Sequence, residues 1–383
     1  MSGAGGWNGA EHVLCVRLDA LGDVLMTTPA LRAIKESHPS RRITLLTSPA
    51  GAEAARLVPE VDHVLVYESP WMKATPPRPD SHVDRRMVKT LRRARVDAAA
   101  IFTVYSQNPL PAALLCYFAE IPLRLAHCRE NPYQLLTDWV PDPEPDRLVR
   151  HEVVRQLDLV RSVGCEARDL RMSLRFSASA RDRVSARLRR LELDTSRPGL
   201  VIHPGATASS RRYPPESFAA AARRLVLDVG MQVIFTGSES ERPLIEAIRA
   251  EMREYSHSLA GQLDLEELAA LIARAPLLIS NNTGPVHIAA AVGTAVVTLY
   301  ALTNPQHTPW QVPHRLLFHD VPCRYCYKSV CPHGHHDCLR QVPPEAVVEA
   351  VWSLLAEQGR LRRGEAADLR LPIVNPFETN VTG

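Results

Sequence analysis

Short apolar runs, each closed by a polar or glycine-bearing turn and followed by a stretch of helical periodicity, recur along this chain. In the first half the runs at 13–17, 43–47, 64–67 and 98–103 predict strands. Helices are predicted at 24–37, 50–57 and 84–94 between them, and at 151–163 after a proline-rich segment. Continuous apolar runs suit strands buried on both faces, and their alternation with helices predicts a parallel sheet covered on each side. The pattern restarts after a charged helix at 180–191, with strands at 200–203, 232–236, 277–280 and 295–299. Helices at 215–229, 241–253, 265–274 and 286–292 alternate with them. The chain therefore reads as α/β, with two Rossmann-like doubly wound domains facing across a cleft. The boundary falls within 175–198, giving domains at 1–178 and 179–350, followed by a C-terminal helix and tail at 351–383. Sheets of this kind bind ligands beyond the carboxyl ends of their strands, so the cleft is the expected site.

Composition narrows the class. The 383 residues are 45% hydrophobic and 23% charged, as in a globular protein, and suffice for two cores. A net charge of +3 is too small to argue for nucleic acid. The start, MSGAGGWNGAEH, lacks the basic and apolar regions of a signal peptide, and no apolar run is long enough to span a membrane. A cytoplasmic location is expected. Eight cysteines in such a chain read as reduced thiols.

Four strand-ending turns can carry chemistry. The first is Leu21-Gly22-Asp23, where Gly22 permits close backbone approach and Asp23 stands at or near a helix start, a position that also suits a purely structural carboxylate. The second runs from His203 to Pro215 and combines Thr207, serine hydroxyls, Arg211 and Arg212, a set suited to a diphosphate because arginine binds phosphate bidentately. The third, Thr236-Gly237-Ser238-Glu239-Ser240-Glu241, offers Ser238 and Glu239 to a ribose or base edge, while Glu241 reads as a helix cap. The fourth is Ser280-Asn281-Asn282-Thr283-Gly284-Pro285-Val286-His287. It is an abrupt strand-to-helix junction whose first turn points N–H groups and a positive dipole at an anion that His287 also faces. No G-x-G-x-x-G fingerprint is present.

These pieces resemble glycosyltransferase family 9, the heptosyltransferase-like enzymes of bacterial surface polysaccharide assembly. The resemblance is carried by Arg17 with Leu21-Gly22-Asp23-Val24-Leu25 and Thr28-Pro29-Ala30-Leu31, and by His203-Pro204-Gly205-Ala206 with Arg211-Arg212-Tyr213-Pro214. It continues through Leu259-Ala260-Gly261, the segment Asn282–Ala291, Thr303-Asn304-Pro305 and Pro309-Trp310. It implies a GT-B enzyme binding a nucleoside diphosphate sugar, a heptose among the candidates, in its C-terminal domain. The implied acceptor, a glycan or lipid-linked glycan of the lipopolysaccharide type, binds the N-terminal domain. Asp23 is the implied general base of an inverting transfer. Thr207, Arg211, Ser238, Glu239, Asn282, Thr283, Gly284 and His287 are the implied donor contacts, and Arg17 and Gly22 are implied to orient acceptor or phosphate. No cofactor is needed for this chemistry. Asn282 stands where the family usually has an aspartate, and Arg211 where a lysine is usual. Two alternatives remain at this point: a nucleotide-sugar binding protein without activity, and a GT-B-fold nucleotide-sugar epimerase.

Cys323, Cys326, Cys331 and Cys338 lie close in sequence among three histidines, but only the first two have the close spacing of a zinc site. A structural zinc, disulfides and unligated thiols are all compatible with this spacing. The basic amphipathic stretch at 84–95 reads either as a solvated face or, given lipid-linked acceptors, as a peripheral contact with an anionic membrane.

Overall fold

The structure is a computed structural model that describes residues 6–73, 75–193 and 199–360. The tail from 361 and the Thr-Ser-Arg-Pro stretch at 195–198 lie outside the described residues. The chain divides into two compact units, Met1–Arg175 and Phe176–Gly383.

In the first unit the strands are β1 (His12–Arg17), β2 (Arg42–Thr47), β3 (His63–Val66), β4 (Ala98–Ile101), β5 (Leu123–Cys128) and β6 (Asp138–Pro141). The helices are α1 (Leu21–Glu36), α2 (Pro49–Leu57), α3 (His82–Ala94), α4 (Leu110–Phe118) and α5 (Glu152–Arg161). The strands order as β3-β2-β1-β4-β5-β6, and every pairing is parallel. All six residues of β1 are buried, as its apolar run predicts. The chain reverses its direction of winding between β1 and β4. The carboxyl ends of those two strands are therefore the topological switch point, where such sheets hold ligands.

The second unit repeats the plan. It contains α6 (Ala178–Arg190), β7 (Gly199–His203), α7 (Pro215–Leu227), β8 (Gln232–Phe235), α8 (Arg242–Met252), β9 (His257–Ser258), α9 (Leu265–Arg274) and β10 (Leu277–Asn281). It continues with α10 (Gly284–Val292), β11 (Ala295–Leu299), β12 (His314–Leu317), α11 (Asp337–Arg340) and α12 (Pro344–Glu357). The order is β12-β11-β10-β7-β8-β9, again all parallel. Here the switch point lies between β7 and β10. The charged helix α6 belongs to this unit and is pinned to α9 where Glu267 accepts from Arg183 at 2.8 Å. The C-terminal helix α12 begins before 351 and is no appendage, since Val347, Val351 and Leu354 pack into the core beside Phe218 and Leu225 of α7.

Candidate active site

In the first unit the turn after β1 gathers charge around one side chain. Arg17, the last residue of β1, is wholly buried. Its Nη1 donates to Glu152 Oε1 at 2.7 Å and its Nη2 to Asp23 Oδ1 at 3.1 Å. Its Nε lies 2.9 Å from Asp19 Oδ2 but off the N–H direction, so that contact is an ion pair without a hydrogen bond. Burial works against the guanidinium's charge, but Asp19, Glu152 and Asp23 outweigh it and hold its pKa above the ordinary value. Burial also pushes the Asp19 carboxyl up, opposed by Arg17 and reinforced by Asp23. Glu152 is raised in the same way, by burial first. The four groups form one unit in which Arg17 is the keystone.

Asp23 is the third residue of α1, and its second oxygen, Oδ2, accepts from the Ala20 N–H at 3.2 Å. Arg17 and the helix start thus fix the carboxylate between them, and one-fifth of its side chain remains accessible. Arg17 and Gly22 flank Asp23 as the sequence suggested, but the role expected of Arg17 changes. With no exposed surface, it has no donor to offer an acceptor or a phosphate directly, so it acts on Asp23 instead. Glu152 escaped the sequence reading because it stands 135 residues from its partner and in no motif. Asp19 Oδ1 accepts from Gln107 Nε2 at 2.5 Å. Gln107 lines a cavity of about 250 Å³ at the β1–β4 switch point, together with Trp71, Phe102, Thr103 and Pro111.

In the second unit the β7 and β10 turns meet at the other switch point. Asn281 ends β10 fully buried; its Nδ2 donates to the Pro204 carbonyl at 2.7 Å, and its Oδ1 accepts from the Tyr213 N–H at 3.1 Å. One amide therefore fastens both ends of the 204–213 loop to the start of α10. An Asn281→Ala protein is expected to lose about 1–3 kcal/mol of stability, because two buried backbone groups lose their partner. Chemical denaturation checks this, and an unchanged midpoint would remove Asn281 as the fastener.

The sequence placed its emphasis on the neighbour, Asn282. That side chain is also buried, and its Oδ1 accepts from the Ala301 N–H at 3.2 Å, so it holds the turn after β11. Thr283 caps α10 in extended conformation without a side-chain bond to the helix, and Pro285 occupies the first turn. Gly293 closes the helix at φ +81°, a backbone region that favours glycine. Arg211 Nη1 reaches within 3.5 Å of the Asn282 carbonyl, and Arg211 has no carboxylate partner among the described residues. A partly buried guanidinium beside a helix start whose cap residue makes no side-chain bond is an arrangement that suits an anion. Thr207 is exposed at the rim of the same loop, and His287 is buried in the first turn of α10.

Ser238 and Glu239 stand one strand away, after β8. Glu241 Oε2 accepts from the Ser238 N–H at 2.8 Å and from its hydroxyl at 3.0 Å, the cap expected of Glu241. Glu239 pairs with Arg242 at the surface. A Cβ on Gly205 would lie 1.9 Å from Glu241 Oε1, so a larger residue there would displace the Glu241 carboxylate. Burial lowers the pKa of His203, opposed by Glu241, and its Nδ1 lies 3.1 Å from the Thr236 hydroxyl.

The cysteine segment lies against this loop. Ser210 donates its N–H to the Ser329 carbonyl and its hydroxyl to the Lys328 carbonyl, at 3.1 and 2.8 Å. All four cysteines are free thiols. Burial opposes ionisation of Cys331, but the N–H groups of His336, His333, Gly334 and His335 outweigh it and lower its pKa. Burial raises Cys338, with the neighbouring cysteines adding to the effect. Among the described residues no group of three His, Cys, Asp or Glu side chains is placed to hold a metal ion.

Two doubly wound units, one holding a fixed carboxylate at its switch point and the other an arginine beside a helix start, are the architecture of the glycosyltransferases built from paired Rossmann-like domains. The chain belongs to glycosyltransferase family 9 (heptosyltransferase), whose profile matches residues 85–336. It is a glycosyltransferase. It is 27% identical over 363 residues to lipopolysaccharide heptosyltransferase 2 of Salmonella typhimurium, covering 91% of this chain and 99% of that one. To lipopolysaccharide heptosyltransferase 2 of Escherichia coli it is 26% identical, over 90% and 99% of the two chains. Among solved structures it resembles a family 9 glycosyl transferase of Veillonella parvula, with a TM-score of 0.73 and 20% identity over 91% and 97% of the chains. The structure of ADP-heptose lipopolysaccharide heptosyltransferase II of Escherichia coli gives a TM-score of 0.71 at 24% identity, over 91% and 99%. The family match places glycosyl transfer above the epimerase and binding-only alternatives.

Proposed function

We propose that this enzyme moves a heptose from ADP-heptose to a hydroxyl of a lipopolysaccharide-type acceptor, inverting the anomeric centre, with Asp23 as the general base. The acceptor hydroxyl gives its proton to the Asp23 carboxylate as its oxygen bonds to the anomeric carbon. The bond from that carbon to the diphosphate breaks on the opposite side, and ADP leaves with the electron pair. A carboxylate suits the task because the hydroxyl becomes acidic only as the new bond forms. Negative charge grows on the departing diphosphate, and Arg211 with the start of α10 at Thr283 and Gly284 is assigned to stabilise it. Thr207 and His287 border the same turn; Ser238 and Glu239 are assigned to the nucleoside end. Arg17 and Glu152 act as positioning residues for Asp23.

The observation that carries the donor half is the Arg211 guanidinium, which lacks a carboxylate partner among the described residues and lies 3.5 Å from the Asn282 carbonyl at the helix start. The Arg211→Ala protein is expected to bind ADP about 10- to 100-fold more weakly, the loss of a charge-assisted contact. Arg211→Lys should recover part of it, since lysine keeps the charge without the fork. Calorimetric titration with ADP and ADP-heptose checks both, and equal affinities in all three proteins would overturn the assignment. The acceptors of the named relatives are lipopolysaccharides. Among the described residues no helix is long and apolar enough to cross a membrane. A lipid-linked acceptor of that type would be met at the inner face of the cytoplasmic membrane, where we propose that the enzyme works as a peripheral protein.

A further inference from the structure

Helix α4 buries Ala112, Ala113, Leu115 and Cys116 in the core of the first unit. Its other face is also apolar and lies open: Leu114, Tyr117 and Phe118 are 39%, 44% and 54% exposed. Their i, i+3, i+4 spacing puts the three on one stripe. Helix α3 packs beside it, burying Leu91 and turning Arg85, Arg86, Lys89, Arg92 and Arg93 outward. The two surfaces are continuous, because Arg92 Nη2 donates to the Phe118 carbonyl at 2.8 Å. Beneath them Arg124, itself buried and bonded to backbone carbonyls, holds its guanidinium 5.5 Å from the centre of the Tyr117 ring.

The acids on these elements do little to offset this charge. Asp84 is taken up by Arg78 and the Tyr67 hydroxyl, and Glu120 pairs with Arg92 at 3.0 Å. Arg85, Arg86, Lys89 and Arg93 have no carboxylate partner among the described residues.

We propose that the α3–α4 face docks the enzyme on an anionic lipid surface, with Leu114, Tyr117 and Phe118 entering the headgroup boundary and the α3 cations facing the lipid phosphates. Aromatic and leucine side chains flanked by Lys and Arg are the composition that binds this boundary. A nucleic acid would use the cations but leave the apolar stripe without a role.

The placement also serves the acceptor. The first turn of α4 supplies Pro111 and Ala112 to the cavity at the β1–β4 switch point. Nine helical residues rise about 13 Å, so the exposed stripe lies within a sugar or two of that cavity. An acceptor anchored in the bilayer by its lipid would then meet the cavity without leaving the membrane. This last step rests on the acceptor reading above, but the docking does not.

Flotation of the full-length protein with phosphatidylcholine vesicles, with and without phosphatidylglycerol, tests the docking with neither donor nor acceptor present. Binding is expected only with the anionic vesicles, falling as salt rises. Arg86→Glu/Lys89→Glu/Arg93→Glu and, separately, Tyr117→Ser/Phe118→Ser should each lower binding at least about tenfold, since each cation near the surface contributes roughly a fivefold factor. Circular dichroism should be unchanged, because these side chains are exposed. Transfer to a soluble, lipid-free acceptor should also be unchanged. Equal flotation by the variants, or none by the parent protein, overturns the proposal. So does a dimer that the Tyr117→Ser/Phe118→Ser change dissolves while vesicle binding is absent.

Discussion

Transfer by an Asp23→Asn enzyme is expected to fall by about 10²- to 10⁴-fold, the range over which a positioned base accelerates proton removal. Asparagine keeps the shape of the side chain and one of its two acceptors, for Arg17 or for the Ala20 N–H but not both, while the carboxylate that takes the proton is lost. The loss should appear in kcat, with ADP-heptose affinity by calorimetry within about twofold of the parent, because the anion-binding turn belongs to the other unit. That split separates a base from a structural carboxylate. A variant that transfers at the parental rate would show that Asp23 only helps to start α1, and the catalytic assignment would move elsewhere.

The second large effect is on stability. Arg17→Met leaves the carboxylates of Asp19, Asp23 and Glu152 close together with no cation between them. Breaking a buried ion pair by removing one partner costs about 3–5 kcal/mol, and here one removal strips three acids. Asp19 and Glu152 already have raised pKa values, chiefly from burial, and Arg17 is the group that restrains the rise. Without it both rise further above their unfolded values, so the folded protein binds more protons than the unfolded chain. Stability then falls as pH increases through the region above about 4. The variant should therefore be nearer to the parent at mildly acid pH and furthest from it at neutral pH. Adding Glu152→Gln should restore part of the loss at neutral pH by removing one of the stranded charges. Urea unfolding at several pH values reads all of this; a pH-independent difference between variant and parent would mean that the carboxylates do not depend on Arg17.

Much of the fold was legible because both sheets are parallel and buried, which turns their central strands into apolar runs that stand out from the helices. β1, β2, β7, β10 and β11 are of that kind. What escaped was one interior strand, β5, whose Leu-Arg-Leu-Ala-His-Cys run is broken by Arg124 and His127, together with the periphery, including the edge strand β12. β6 is a short, partly exposed edge strand ending in a proline, and β9 is two residues long. α4 is apolar on nearly every face and its first residue lies between Pro109 and Pro111, so it has neither the periodicity nor the start of an ordinary amphipathic helix. The same property that hid it from a periodicity reading is what leaves Leu114, Tyr117 and Phe118 on the surface.

The site divides in the same way. Asp23 and the Asn282–His287 turn announce themselves locally, by a glycine–aspartate pair at a strand end and by a strand that breaks into a proline-started helix. Glu152 has no local signature, since its meaning comes from the docking of α5 against α1. Asn281 and Asn282 are adjacent and chemically identical, and only the register of β10 decides which one points at the 204–213 loop.

The seat of Arg211 is shaped partly from outside its own region of sequence. Ser210 hangs by two bonds from carbonyls 118 and 119 positions further along the chain, and Tyr325 and Tyr327 in turn tie that segment to the loop after β11. A fragment ending at Leu317 would contain every residue assigned here to the diphosphate, together with all twelve strands. It would still lack the outer wall against which the arginine's turn is set.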